Sequence, residues 1–215
     1  MKHLSKPLFT FIALFLLSSS IGISQTLKDF LNSKETPTTY LGLDFTKTKL
    51  IGDAGANTSD IASRQYGGIN DVVINEPKKY DIAGAFQKSK VDNDIAQAVT
   101  RNMSVKPAEI ISTNAADYNS LKEADIKTLV KGYDFLGKKG IGILFVVEAM
   151  SKPAKASAIW PTIIDMVTHE VLLTERMEGK ATGIGFRNYW AGSFADVLKT
   201  IDKKKFDEWK SKYGK

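Results

Sequence analysis

The side chains able to do chemistry in this chain are few, and the leading candidates are carboxylates. Asp44, Glu148 and Asp165 each lie in or beside a segment that reads as a β-strand. Glycoside hydrolysis needs two carboxyl groups flanking the scissile bond, one to give a proton and one to activate water or attack the sugar. Any two of the three are candidates for that pair. Glu148 stands out because it interrupts a strongly apolar run. If it points into the core, it needs a cationic partner such as Lys152, Lys155 or Arg187. His169 is the one histidine beyond the first 24 residues. It falls in the turn-like run Asp165–Glu170, where nothing visible orients it for a Ser-His-Asp triad. The chain has no cysteine, which excludes thiol nucleophiles, disulfide exchange and thiolate metal sites. No metal or other cofactor is expected.

Three further runs merit attention. Asp92-Asn93-Asp94 starts like a calcium loop, but the glycine at position six and the glutamate at twelve are missing. Helix capping accounts for it better. The loop Gly179–Phe186 has glycines near a helix start, where backbone can cradle phosphate. Its order of glycine, lysine and hydroxyl fits neither the Walker nor the dinucleotide pattern, so it reads as a strand-to-helix loop. The sharper cluster is Phe186-Arg187-Asn188-Tyr189-Trp190. Arginine and large aromatics dominate protein-binding hot spots. Arg187, Asn188, Tyr189 and Trp190, with Trp160, are therefore the candidate contact residues. For Tyr189, Trp190 and Trp160 the competing role is packing.

The elements that must position these residues follow from periodicity. Thr39–Leu50 alternates and predicts one strand. Helices are predicted from Ser59 or Asp60 toward Ile74, over Lys78–Lys88, from Asp92 or Asp94 to Pro107, and from Asn119 or Ser120 through Gly132. Glu109–Ser112 is a short β-prone piece. Ile141–Ser151, Ala156–Met166 and Glu170–Glu178 are joined too tightly for parallel crossovers, so they read as an antiparallel three-strand meander. Pro161 inside the second run predicts a bulge or an unpaired position. Asn188 is a plausible N-cap for a helix through Ile201, and Asp202 for a last basic helix. The whole is α+β, or a three-layer α/β-like arrangement: a mixed sheet with a C-terminal meander, flanked by helices.

The first residues set an expectation about location. Lys2 and Lys6 precede the apolar run Leu8–Leu17, and Gly22 and Ser24 stand at minus three and minus one of a cut before Gln25. That is a signal-peptide pattern. Residues 1–24 are expected to be removed, leaving 25–215 as a single domain in the periplasm or secreted. No later stretch is long and apolar enough to span a bilayer. The net charge is +6, too small to argue for nucleic acid.

Two resemblances add to this. One rests on Ile141–Glu148, then Ile163-Ile164-Asp165-Met166-Val167-Thr168-His169-Glu170-Val171-Leu172-Leu173, then a loop to the terminal helix. This pattern resembles the sheet of envelope proteins related to the curli secretion-channel subunit, the penicillin-binding-protein activator lipoproteins and the TolB N-terminal domain. The run Gly185–Trp190 is similar to that of uncharacterised exported proteins of Gram-negative bacteria. The first resemblance implies an α+β envelope module that works by binding, and it carries over no catalytic residue. This chain departs from the lipoprotein members in having no cysteine to lipidate. The resulting expectation is a non-enzymatic module contacting an envelope protein or a cell-wall polymer. The alternative is a small hydrolase of envelope glycans.

Overall fold

The computed structural model describes residues 26–215; the expected leader and its cleavage site lie outside them. The elements run α1 (Leu27–Asn32), β1 (Thr38–Asp44), β2 (Lys49–Ile51), α2 (Thr58–Asp60), α3 (Tyr66–Asn75), α4 (Ile82–Ala85), β3 (Asp92–Asn93), α5 (Ala96–Asn102), β4 (Ile111–Ser112) and α6 (Glu123–Lys131). They continue with β5 (Ile141–Ser151), β6 (Ala156–Asp165), β7 (Glu170–Thr174), β8 (Met177–Lys180), α7 (Gly185–Thr200) and α8 (Phe206–Tyr213).

All eight strands form one mixed sheet. The central strand β5 is buried along its whole length, as an almost unbroken apolar run requires when both faces are covered. β1 and β2 lie end to end along one edge of β5, both parallel to it. β3 and β4 extend that side, parallel to β1 and β2 respectively. The chain between β2 and β5 supplies the long crossover that parallel pairing needs. On the other edge β6 is antiparallel to β5, and β7 and β8 lie end to end along β6.

Alternation along β5 divides the core. Ile143, Phe145 and Val147 face a large cluster that takes in α1, α3, α4, α7 and α8. Its centre is aromatic, with Phe145 edge-on to Phe194 at 4.7 Å between ring centres. Leu144 and Val146 face the opposite side, against Ile126, Leu129 and Val130 of α6. Helices therefore cover both faces of the mixed sheet.

Several expectations are corrected. The predicted meander is not a separate unit, because its first strand is the centre of a parallel group and its third is split into β7 and β8. Register explains the split. Thr162 pairs with Thr174 and Ile159 with Met177, so Glu175 and Arg176 stand opposite Trp160 and Pro161, where proline offers no N–H to a ladder. The single strand predicted over Thr39–Leu50 is likewise two. Asp44 Oδ1 accepts from the Thr46 N–H at 2.7 Å and from the Thr46 hydroxyl, a side-chain turn that ends the ladder. The helix predicted over Lys78–Lys88 shrinks to four residues, with Asp81 capping Gly84 N–H at 2.8 Å. Asn188 lies inside α7, whose N-cap is Ile184. Asp202 caps nothing: a π-helical turn, Ile201–Lys205, carries α7 straight into α8.

Candidate functional site

The three carboxylates singled out in the sequence all lie in the interior, with side chains or residues at 0% exposure. Asp44 closes β1 on the α6 side of the sheet. Its Oδ2 accepts from the Tyr133 hydroxyl at 2.7 Å and from Arg101 Nε at 3.3 Å. The Arg101 guanidinium lies 4.5 Å from the centre of the Tyr133 ring. Burial, and next the Asp44 charge, push the Tyr133 phenol far above its ordinary range. It is a fixed donor.

Glu148 sits where the β5–β6 register slips by one residue, between Val147 and Ala149. A bulge residue escapes the ladder and can aim its side chain elsewhere. Here Oε1 accepts from the backbone N–H groups of Ser120 and Leu121 at 2.6 and 2.7 Å. Oε2 accepts from the Trp160 indole at 3.0 Å and from Arg176 Nε at 2.8 Å. The cationic partner is therefore Arg176, which corrects the expectation of Lys152, Lys155 or Arg187. Lys152 pairs with Asp53, and Lys155 and Arg187 are exposed. Arg176 reaches Glu148 from the gap between β7 and β8, so the strand break and the buried charge are one feature. Trp160, 8% exposed, serves this network and offers no contact surface.

Asp165 accepts from the Val167 and Thr168 N–H groups at 2.7 and 3.1 Å and holds the β6–β7 turn. It pairs with Ile141, seven residues along β5 from Glu148, which is roughly 20 Å at strand rise. Asp165 therefore cannot act with Glu148 on one bond. Asp44 lies opposite Val146 on the neighbouring strand, so the structure does bring Asp44 and Glu148 to one face. Both are sealed and occupied by internal donors, the opposite of a solvated pair flanking a substrate. Their geometry instead anchors loops: Asp44 holds Thr46, and Glu148 holds Ser120 and Leu121. His169 adopts a positive φ of 61° in the β6–β7 turn, with its ring edge-on to Phe135 at 4.8 Å. Among the described residues no group of three or more His, Asp or Glu is placed to hold a metal ion.

The predicted contact cluster at the start of α7 divides in two. Trp190 is 2% exposed, packed with Phe186 and Tyr189. It is core, which corrects its assignment as a contact residue; at one turn into an amphipathic helix it faces the sheet. Tyr189 is half-buried, with Lys152 Nζ 5.2 Å from its ring centre. Arg187 and Asn188 line a concavity of about 270 Å³ together with Arg64 and Ile184. The Arg187 stem crosses α3 at Gly68, where a Cβ would approach its Cδ to 3.2 Å.

Sequence reasoning missed Ile184, which is 92% exposed. Its neighbours Gly183 and Gly185 have φ of 128° and 77°, conformations that side chains disfavour. An isoleucine between two glycines was the available signal. The residue is lifted from the surface by its backbone, and arginines stand on the same concavity.

Comparison with protein-family models gives no match to this chain, and comparison with curated proteins gives none either. No helix among the described residues is long and apolar enough to cross a membrane.

Proposed function

We propose that this chain is an exported cell-envelope protein that binds another envelope protein or a wall polymer, and that it does so without catalysing a reaction. The observation carrying this reading is Ile184, 92% exposed at the entrance of α7, beside Arg64, Arg187 and Asn188. Covering a large aliphatic side chain with a partner is worth on the order of 1.5–3 kcal/mol for full burial. Flanking arginines supply the charged, stackable rim common to protein contacts. The internal saturation of Asp44, Glu148 and Asp165 adds support, since a hydrolase would have to break these networks to use them. The leader pattern in Lys2–Ser24 and the resemblance to envelope binding modules supply the compartment.

The test is crosslinking and pull-down of the purified chain from envelope extract, with Ile184→Asp and Arg187→Ala as comparisons. A partner captured by the unaltered chain and lost with either substitution is expected. The same partners with all three proteins, or none with any, would remove the basis for this surface. Trp190→Ala is a poor probe, because it opens a hole in the core.

A further inference from the structure

A second concavity opens at the break between β1 and β2 and shares no lining residue with the one at α7. Its volume is about 360 Å³. It lies beyond the carboxyl end of β1, and crevices at such ends are where parallel sheets bind ligands.

Its floor is rigid. Thr46 is pinned by the buried Asp44, and the Thr48 hydroxyl donates to the Val147 carbonyl at 2.6 Å. Ser120 and Leu121 are pinned by the buried Glu148. Two of the three carboxylates that looked catalytic in the sequence, Asp44 and Glu148, thus shape this cleft from beneath.

Its rim is basic. Lys47, Lys49 and Lys106 line it, and Glu109 is its only carboxylate. Lys106 Nζ donates to Glu109 Oε1 at 3.0 Å and Lys49 Nζ to the Glu109 carbonyl at 2.6 Å. Lys47 is exposed and forms no ion pair of its own among the described residues. Lys106 first, then Lys49 and Lys47, hold the Glu109 carboxyl below its ordinary value, so all three ammonium groups act on one spot. Two positive charges remain in excess there.

The chemistry of the donors narrows the ligand. Lysine is a compact point charge with three rotatable donors, and grouped lysines hold phosphate oxygens well; no arginine lines the cleft. The hydroxyls of Thr46, Thr48 and Ser104 already donate inward, the last to the Arg101 carbonyl at 2.6 Å. Thr48 is buried, but the Thr46 and Ser104 oxygens are left to accept, as sugar hydroxyls require. The volume exceeds that of a bare phosphate.

We propose that this cleft binds a phosphorylated sugar, with Lys47, Lys49 and Lys106 holding the phosphate and the Thr46 and Ser104 oxygens accepting from sugar hydroxyls. This is independent of the contact surface at α7.

The test is a heteronuclear NMR titration of the purified chain with glucose 6-phosphate, with glucose and inorganic phosphate as separate arms. Saturable shifts are expected at residues 46–49 and 104–106 with glucose 6-phosphate, none with glucose, and binding at least about fivefold weaker with inorganic phosphate. Lys47→Glu is expected to weaken binding by about tenfold or more, which is 1.4 kcal/mol. Glu109→Gln is expected to tighten it about threefold by removing the competing carboxylate. Both side chains are exposed, so both variants should keep the unaltered spectrum elsewhere. Absence of saturable shifts overturns the proposal, as does equal binding of inorganic phosphate or unchanged affinity in both variants.

Discussion

Replacing Glu148 by glutamine preserves shape but removes the charge, and it tests whether this carboxylate is structural. Glutamine Oε1 can still accept from Ser120 and Leu121. Its amide, however, would meet the Trp160 and Arg176 N–H groups donor to donor. Two hydrogen bonds are then lost, at 3.0 and 2.8 Å in the native protein. Each is to a charged acceptor, worth about 1.5–3 kcal/mol. Arg176 keeps other partners, Glu178 at 2.9 Å and the Tyr118 carbonyl at 2.5 Å, and is partly solvated, which lowers its share. The buried indole has no such escape. The expected cost is about 3–5 kcal/mol, the range for breaking a buried pair from one side. For a domain of this size that lowers Tm by about 10 °C. Urea unfolding followed by the combined fluorescence of Trp160, Trp190 and Trp209, all buried, measures it. A cycle with Arg176→Met should show coupling of about 1.5–3 kcal/mol. A Glu148→Gln protein within about 1 kcal/mol of the unaltered chain would refute the structural reasoning. If that stable variant also lost glycan hydrolysis present in the unaltered protein, the hydrolase alternative would return.

Two further outcomes are expected. Lys88 is buried, its ammonium donating to the Phe30 and Ser33 carbonyls. Burial first, then the Lys210 charge, bring its pKa down to about 8 from 10.5. A lysine whose folded pKa is depressed carries its full charging cost below that pKa, and the cost fades as pH rises toward the unfolded value. Relative to Lys88→Met, the native chain should gain stability between about pH 8 and 10.5, by about 1–2 kcal/mol once residual solvent screening is allowed for; paired urea curves at the two ends of the window read this, and a flat difference would refute it. At Gly192 on α7, a Cβ would come within 2.1 Å of the Thr182 carbonyl oxygen. Backbone cannot yield as a side-chain tip can, so Gly192→Ala should cost about 3 kcal/mol or more; an unchanged melting temperature would contradict this packing.

Much of the sheet was legible because burial on both faces leaves a direct mark in the chain. Ile141–Ser151 reads as a strand from its composition and is one; Ala156–Asp165 follows to within a residue. The apolar period of Ile126, Leu129 and Val130 likewise located α6. What stayed hidden was set by residues far away in sequence. Asn70 on α3 accepts from Leu43 N–H at 2.8 Å and Asn102 on α5 accepts from Phe45 N–H at 2.7 Å, so helix side chains take over the backbone of β1 as its ladder ends. Period and composition carry no trace of such pairings.

The candidate site divides along the same line. Residue types alone picked out Asp44, Glu148 and the α7 entrance, because charge in an apolar run and aromatic clustering are local properties. Only tertiary structure decided that the carboxylates are sealed, that Arg176 pairs with Glu148, that Trp190 faces inward and that Ile184 faces out. A helix or strand has two sides, and which side meets the core depends on what the rest of the chain brings against it.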